Sequence, residues 1–317
     1  MEKVLTALRA AGEPTRIRLL ALCAESELTV SELTQILGQS QPRVSRHLKL
    51  LCDAGLLDRY PEGAWVFYRL AETGEAARLA QQMLEMLPAD DGVLIRDRNG
   101  LEAIRRARVD QADAYFRVNA EHWDEIRSLY VSENDVEQAL LAEIGDTSVA
   151  ELLDIGTGTG RMLELLAPRI GKGIGIDINT AMLTVARSTL EQADISHCQV
   201  RRADMYRLPL EDSSVDLVTV HQVLHFADDP VGVLREAARV LRPGGRLVVV
   251  DFAPHDLEFL RAEHAHRRLG FAAEEVTDWS LSIGLEPGPV RRLQGDPLTV
   301  FVWPAIKPAD AEREVAA

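Results

Sequence analysis

Three acids in the second half of this 317-residue chain stand at expected strand ends. The first lies in Glu151-Leu152-Leu153-Asp154-Ile155-Gly156-Thr157-Gly158-Thr159-Gly160, followed by an amphipathic segment with Met162, Leu163, Leu165, Leu166 and Ile170. That order predicts a buried strand, a tight turn and a helix, the opening of a doubly wound α/β unit. Gly156, Gly158 and Gly160 put no Cβ between the backbone and a ligand. Their spacing, D-x-G-x-G-x-G, is not the G-x-G-x-x-G of dinucleotide turns. Asp154 ahead of the turn repels phosphate and suits an ammonium group. Asp177 ends a second apolar run, Gly173 to Ile178, where a carboxylate can accept bonds from both ribose hydroxyls. Asp204 can accept from an adenine amino group, with Met205 or Met182 against the ring. His221, His225 and His255 sit at or near strand ends and are candidate general bases, should an acceptor have to lose a proton. Each of the three is equally placed for a structural role.

Those side chains need a sheet to carry them. Val215–Val220 reads as a fourth strand leading into His221, and Leu241–Leu247 turns a helix into a fifth, Leu247–Val250. Asp251–Asp256 then falls at the carboxyl edge of the sheet, where ligands of such folds bind. Leu257–Gly270 reads as one helix, with His264 and His266 on different faces, which argues against a shared metal. Val290–Leu293 and Leu298–Trp303 close the pattern as an antiparallel pair. Taken together these residues closely resemble class I S-adenosylmethionine (SAM) methyltransferases, above all the ubiquinone/menaquinone-biosynthesis-like group, over about residues 146–305. The resemblance implies a seven-stranded Rossmann-like sheet that binds SAM or S-adenosylhomocysteine (SAH). It places Asp154, Gly156, Gly158, Gly160, Asp177, Ile178, Met182, Asp204, Met205 and His221 around the cofactor. It also makes Asp110–Gly145 a helical cap, in which Tyr115, Trp123 or Tyr130 either screens the sulfonium by cation–π attraction or packs as a core aromatic.

A different chemistry opens the chain. Leu5, Leu8, Ile17, Leu19, Leu20 and Leu22 suggest two short helices around Gly12-Glu13-Pro14. Thr29 and Glu32 have capping-box spacing, and Gly38 suits the left-handed end of the helix they start. Ser40 caps a second helix, with Pro42 tolerated in its first turn. Val44, Leu48 and Leu51 would face a core, leaving Gln41, Arg43, Ser45, Arg46, His47 and Lys49 off that stripe, with no acid between Ser40 and Leu51. This is the face of a helix that enters a major groove. Leu57–Tyr60 and Trp65–Arg69 predict a hairpin wing, with Arg59 and Arg69 available to phosphates.

Ser40 to Leu51 with Ala54-Gly55-Leu56 resembles the ArsR/SmtB family of winged-helix repressors. That resemblance implies an operator-binding homodimer paired through the first and last helices, the last being Glu72–Leu87. Metal sensing at the family's Cys-x-Cys is not implied, because Val30–Gly38 holds no cysteine. The expected organisation is therefore a winged helix-turn-helix domain over 1–88, a linker and cap over 89–145, the methyltransferase-like domain over 146–305 and a disordered tail over 306–317. Arg96–Arg108 within the linker reads as a solvated helix.

Composition agrees with two domains, since the chain exceeds the size at which one core keeps growing. No run is long and apolar enough to span a bilayer and no signal pattern opens the chain, so a cytoplasmic protein is expected. Cys23, Cys52 and Cys198 are odd in number and widely spaced, offering neither a disulfide framework nor a zinc motif. The net charge is −15, yet residues 1–70 carry nine Lys/Arg against eight Asp/Glu, so the acid is concentrated later. A nucleic-acid-binding first domain is compatible with that distribution.

Three readings follow: a repressor that senses SAM or SAH, linked by resemblance to SAM/SAH–methionine metabolism; an active small-molecule methyltransferase that regulates its own pathway; or an enzyme with a plain dimerisation module. The acid-free basic face disfavours the third, and the lone Cys198 disfavours a soft metalloid acceptor. No assembled acceptor site is legible, which favours sensing. Arg46→Ala is expected to weaken operator binding by about 1–3 kcal/mol per half-site if it reads a guanine. Titrations at several salt concentrations check this, and unchanged affinity and salt slope in both Arg43→Ala and Arg46→Ala would refute the winged-helix reading.

Overall fold

The computed structural model describes residues 2–62, 65–71, 73–119, 132–145 and 149–309. It divides into two compact units, Met1–Asp110 and Gln111–Ala317. No described helix is long and apolar enough to cross a membrane.

In the first unit, α1 (Glu2–Ala11) and α2 (Pro14–Glu25) meet at Glu13, whose carboxylate accepts the Arg16 N–H at 3.0 Å. After β1 (Leu28–Thr29), α3 (Val30–Leu37) begins with the expected capping box between Thr29 and Glu32 and ends on Gly38 at φ +62°. Helix α4 (Gln41–Asp53) buries Val44, Leu48 and Leu51. Ser40 occupies its N-cap position with an extended backbone, but its hydroxyl makes no capping bond. Strands β2 (Leu57–Glu62) and β3 (Trp65–Leu70) form the antiparallel wing, and β1 pairs with β3 on the other side. The last predicted helix of this domain is shorter than expected, α5 running from Glu75 to Glu85.

Helix α6 (Gly92–Asn119) changes the expected picture of a linker. Asp91 Oδ1 accepts the N–H groups of Val93 and Leu94 and so starts the helix. Its charges were expected to face solvent; instead Leu94, Asp97, Leu101 and Ile104 are buried. Asp97 takes both ends of the Arg18 guanidinium at 2.6 Å, and Arg108 pairs with Glu32. Gly100 lies so close to Ile36 that a Cβ there would stand 3.1 Å from its side chain. Residues 89–110 are thus packed as part of the first unit.

The second unit opens with α7 (Glu133–Ile144) and an eight-stranded sheet. Parallel strands β4 (Val149–Ile155), β5 (Ile170–Asp177), β6 (Cys198–Arg202), β7 (Val215–His221) and β8 (Leu241–Phe252) run across it. The order is β10-β11-β8-β7-β4-β5-β6, with β10 (Arg291–Leu293) antiparallel to β11 (Val300–Ile306), itself antiparallel to β8. Seven strands were expected; the eighth is the two-residue β9 (Glu286–Pro287), which adds to β11 beside that path. Successive side chains go to opposite faces, as pleating requires: Leu247 and Val249 join one core layer, Val248 and Val250 the other. Because β4 has β5 on one side and β7 on the other, the connections diverge there and leave a crevice at the carboxyl ends of the strands.

One expected helix is cut short. In place of Leu257–Gly270, the helix spans only Phe259–His264, and Ala265 at φ +57° ends it. The chain then lies flat against the end of β8, where Phe252 O accepts the Phe271 N–H and a Cβ on Gly270 would meet Ala253 O at 2.2 Å.

The Arg18–Asp97 pair yields a stability prediction. Asp97→Ala leaves a largely buried guanidinium without its carboxylate, so the first unit should lose about 3 kcal/mol. Urea unfolding of the full chain, followed by probes in each unit, checks the loss and its confinement.

Candidate functional site

Each unit holds one candidate site. In the first, Gln41, Arg43, Arg46 and Lys49 of α4 are exposed and Ser45 is partly so, with Ser40 exposed just ahead of the helix. His47 departs from its expected place on that face: its ring turns inward to within 3.7 Å of Glu13, and desolvation holds its pKa below the ordinary value. Lys49 is 3.7 Å from Asp53 across one helical turn, an exposed pair of little net worth. Arg59 on the wing is exposed. Arg69 is committed elsewhere, 5.3 Å above the Tyr60 ring and 3.7 Å from Glu27, so a phosphate would have to compete for it. The geometry leaves Arg43, Arg46, Lys49 and Arg59 as the outward cations of the expected set.

The second site lies at the sheet's carboxyl edge. Gly156, Gly158 and Gly160 all adopt positive φ, at +69°, +53° and +85°. A Cβ on Gly156 would stand 2.4 Å from Val223, so only glycine fits under the segment that follows β7. Asp177 accepts the Gly158 N–H through Oδ2 at 3.0 Å and the Asn179 N–H through Oδ1 at 2.8 Å, tying the loop to the tip of β5. Ile178 beside it is exposed and Asp204 is exposed with Oδ1 accepting the Tyr206 N–H at 2.9 Å. Met205 is partly buried against the core.

Two expected ligand contacts sit deeper than the sequence suggested. Asp154 is 1% exposed and its Oδ1 accepts the Thr219 hydroxyl at 2.7 Å, which links β4 to β7 beneath the loop. Met182 is buried, in the first turn of the helix Thr180–Gln192. Asn179, which sequence reading passed over, caps that helix through Oδ1 onto the Met182 N–H at 2.9 Å. Of the cap aromatics, the Tyr115 side chain, Trp123 and Tyr130 lie outside the described residues. Phe116, not singled out earlier, meets the Phe226 ring edge-on at 4.9 Å.

The three candidate histidines separate in space. His221 ends β7, partly exposed. Gln222 follows at φ +55°, a conformation costly for a non-glycine residue, and its N–H reaches Val250 O at 2.7 Å. That turn delivers His225 to Asp251, with Nδ1 and Oδ1 at 2.7 Å and both side chains at 3% exposure or less. His255 Nδ1 accepts the Leu257 N–H at 3.3 Å, so its proton is on Nε2. Burial, with His225 close by, pushes its pKa down to about 4. His266, freed from the expected helix, stacks on His225 at 4.1 Å, and burial holds its pKa well below the ordinary range. Asp251 and His266 were missed as site residues. An acid closing the strand Val248-Val249-Val250-Asp251 was a legible signal; nothing local marked His266. Among the described residues, no group of three or more His, Cys, Asp or Glu is arranged to hold a metal.

Comparison with known proteins matches a stretch of each unit to a domain model. Residues 13–59 match the model of the bacterial regulatory protein, arsR family, and residues 153–249 match a methyltransferase domain. A ubiquinone/menaquinone biosynthesis C-methyltransferase UbiE of Acidiphilium cryptum is 40% identical over 124 residues, 38% of this chain and 49% of that protein. The uncharacterized methyltransferase YcgJ of Bacillus subtilis is 33% identical over 106 residues, 33% of this chain and 42% of that protein. An uncharacterized 37.1 kDa protein of transposon TN4556 in Streptomyces fradiae is 40% identical over 126 residues, 36% of this chain and 35% of that one. The chain thus spans half or less of the length of these relatives. A solved complex containing the Haloferax volcanii Trm112 methyltransferase activator shares the fold, with TM-score 0.52 and 20% identity over 61% of this chain and 97% of that chain. The protein therefore joins a region that matches the arsR-family helix-turn-helix to a Rossmann-like region that matches a methyltransferase domain.

The depressed histidines set a pH dependence. His255 and His266 are neutral when folded and protonate near 6.5 when unfolded, so the unfolded chain binds more protons below that value. Their contribution is full above pH 6.5 and is lost as the pH falls towards about 4. Thermal midpoints of the second unit should fall over that window, and less steeply in His255→Asn, which keeps an acceptor for the Leu257 N–H.

Proposed function

We propose that this protein is a DNA-binding transcriptional regulator, a repressor, whose second unit binds SAM or SAH as effector in SAM/SAH–methionine metabolism. The observation that carries the reading is the presence in one chain of an outward helix face bearing Arg43, Arg46 and Lys49 and a left-handed glycine loop tied to Asp177. An enzyme alone has no use for the first. In the pocket, Asp177 receives the ribose hydroxyls, Asp204 the adenine amino group, and the open loop the amino-acid end of the cofactor. Asp154 acts from beneath the loop, holding β4 to β7.

The operator partner is a two-fold DNA site read by a homodimer. Val4, Leu5 and Leu8 of α1 are each about two-fifths exposed while Ala7 and Ala11 face inward, which leaves an apolar stripe for a second copy. Basic side chains on α4 supply both base contacts and phosphate attraction. A second reading, methyl transfer to a small acceptor, is favoured by the Asp251–His225 pair, a feature that sensing does not require.

Sensing demands that the ligand distinguish DNA-bound from free protein, and such coupling is reciprocal. Operator DNA should therefore shift the SAH dissociation constant by the factor through which SAH shifts operator affinity, typically about 1–3 kcal/mol. Calorimetry with and without saturating operator decides this; equal SAH affinities would leave an enzyme tethered to DNA. Asp177→Ala should abolish SAH binding with the fold retained, and Asp204→Ala should cost only about 0.5–1.5 kcal/mol.

A further inference from the structure

One histidine near the ligand edge, His225, is bound to a buried carboxylate. Asp251 is fully buried near the end of β8 and spends Oδ1 on the His225 ring at 2.7 Å and on the Phe252 N–H at 2.8 Å. Its Oδ2 accepts the His225 backbone N–H at 3.2 Å. The carbonyl of His225 is held from the other side, by the N–H groups of Arg267 and Arg268 at 2.9 and 3.0 Å. Phe226 and His266 pack on the ring at 4.0 and 4.1 Å from adjoining sides, being themselves 5.3 Å apart. Backbone, ring and Nδ1 are thus held.

A carboxylate on Nδ1 makes that nitrogen the N–H donor and leaves Nε2 with a basic lone pair. The carboxylate takes Nδ1, so Nε2 is the ring nitrogen left for a partner from outside the fold. Its location narrows that partner. Val223, two residues earlier, roofs Gly156, so the dyad borders the glycine loop at the ligand edge. Near the ring, burial holds His266 and His255 below the ordinary histidine range, and the charge of Arg261 acts on both in the same direction.

The geometry points to His225 as the general base of a methyl transfer, set by Asp251 as positioning residue, toward an acceptor whose reacting atom carries a proton: a phenol, hydroxyl or thiol. This rests on the SAM-type cofactor reading above and goes beyond sensing. In the step, the acceptor atom forms a bond to the methyl carbon as the carbon–sulfur bond breaks. The sulfonium leaves as the neutral thioether of SAH. The acceptor proton passes to His225 Nε2, and the imidazolium is balanced by the Asp251 carboxylate before water takes the proton. A chain that only sensed SAM or SAH would need no oriented base.

Two readouts test it on the full-length protein. With ¹⁵N-labelled histidine, His225 should show a protonated Nδ1 and a bare Nε2 at pH 7.5, and Asp251→Asn should disturb that tautomer. A proton on Nε2, or on both nitrogens, overturns the proposal. With SAM and phenol, catechol or benzenethiol as probe acceptors, SAH release should exceed the protein-free rate for at least one. His225→Gln should lower kcat about 100-fold with that probe, leave KM for SAM and SAH affinity by calorimetry unchanged, and erase the acidic limb of the pH profile. No release with any probe, or a wild-type rate in His225→Gln, overturns the base while the effector reading stands. Absence of SAH binding by the wild-type chain overturns both.

Discussion

The ligand edge of the second unit depends on how closely Val223 packs over Gly156. At the 2.4 Å a Cβ would have, no other residue fits, and the positive φ of the glycine would strain any substitute as well. That contact lets the loop fold down onto the tip of β5, where Asp177 accepts the Gly158 N–H. Val223 follows a sharp turn at the end of β7, where Gln222 adopts the left-handed region at a cost of about 1–3 kcal/mol. The Gln222 N–H bonded to Val250 holds the strained turn in place. Its consequence is chemical, because the same turn carries His225 to Asp251. Loop, Asp177 and His225 are therefore one construction rather than three separate features.

The first unit obeys a contrasting rule. Its outward cations are left in water, where phosphates can reach them, while its inward charges are paired. Glu32 shows the economy of the inward set: one oxygen completes the capping box of α3 and the other takes Arg108 from α6. Arg18 and Asp97 are matched in the same way across α2 and α6. A buried pair of this kind adds less stability than an apolar pair of the same shape, but removing one partner is costly, so it fixes the seat of α6 on α2 and α3. The inward turn of His47 toward Glu13 has a similar cause, since its position on α4 lies between the core stripe and the exposed face.

Much of this was local and hence readable from the residues alone. The capping box at Thr29, the left-handed Gly38, the alternating glycines and the acids closing β5 and β8 depend on neighbours within a few positions. The doubly wound class followed from the same local signals taken in sequence, because strands that alternate with helices build such sheets, while the strand order belongs to the tertiary structure. Tertiary structure decided what depends on partners far along the chain. A charged stretch such as Arg96–Arg108 has the same periodicity whether its acids meet water or Arg18, and only the fold supplied Arg18, 79 positions away. Helical propensity ran on past His264, but the backbone groups at the end of β8 took the next residues instead, which brought His266 onto His225. The place of His225 was likewise not in the sequence: it is one of three histidines near strand ends, and only the fold brought a carboxylate 26 residues away onto its ring.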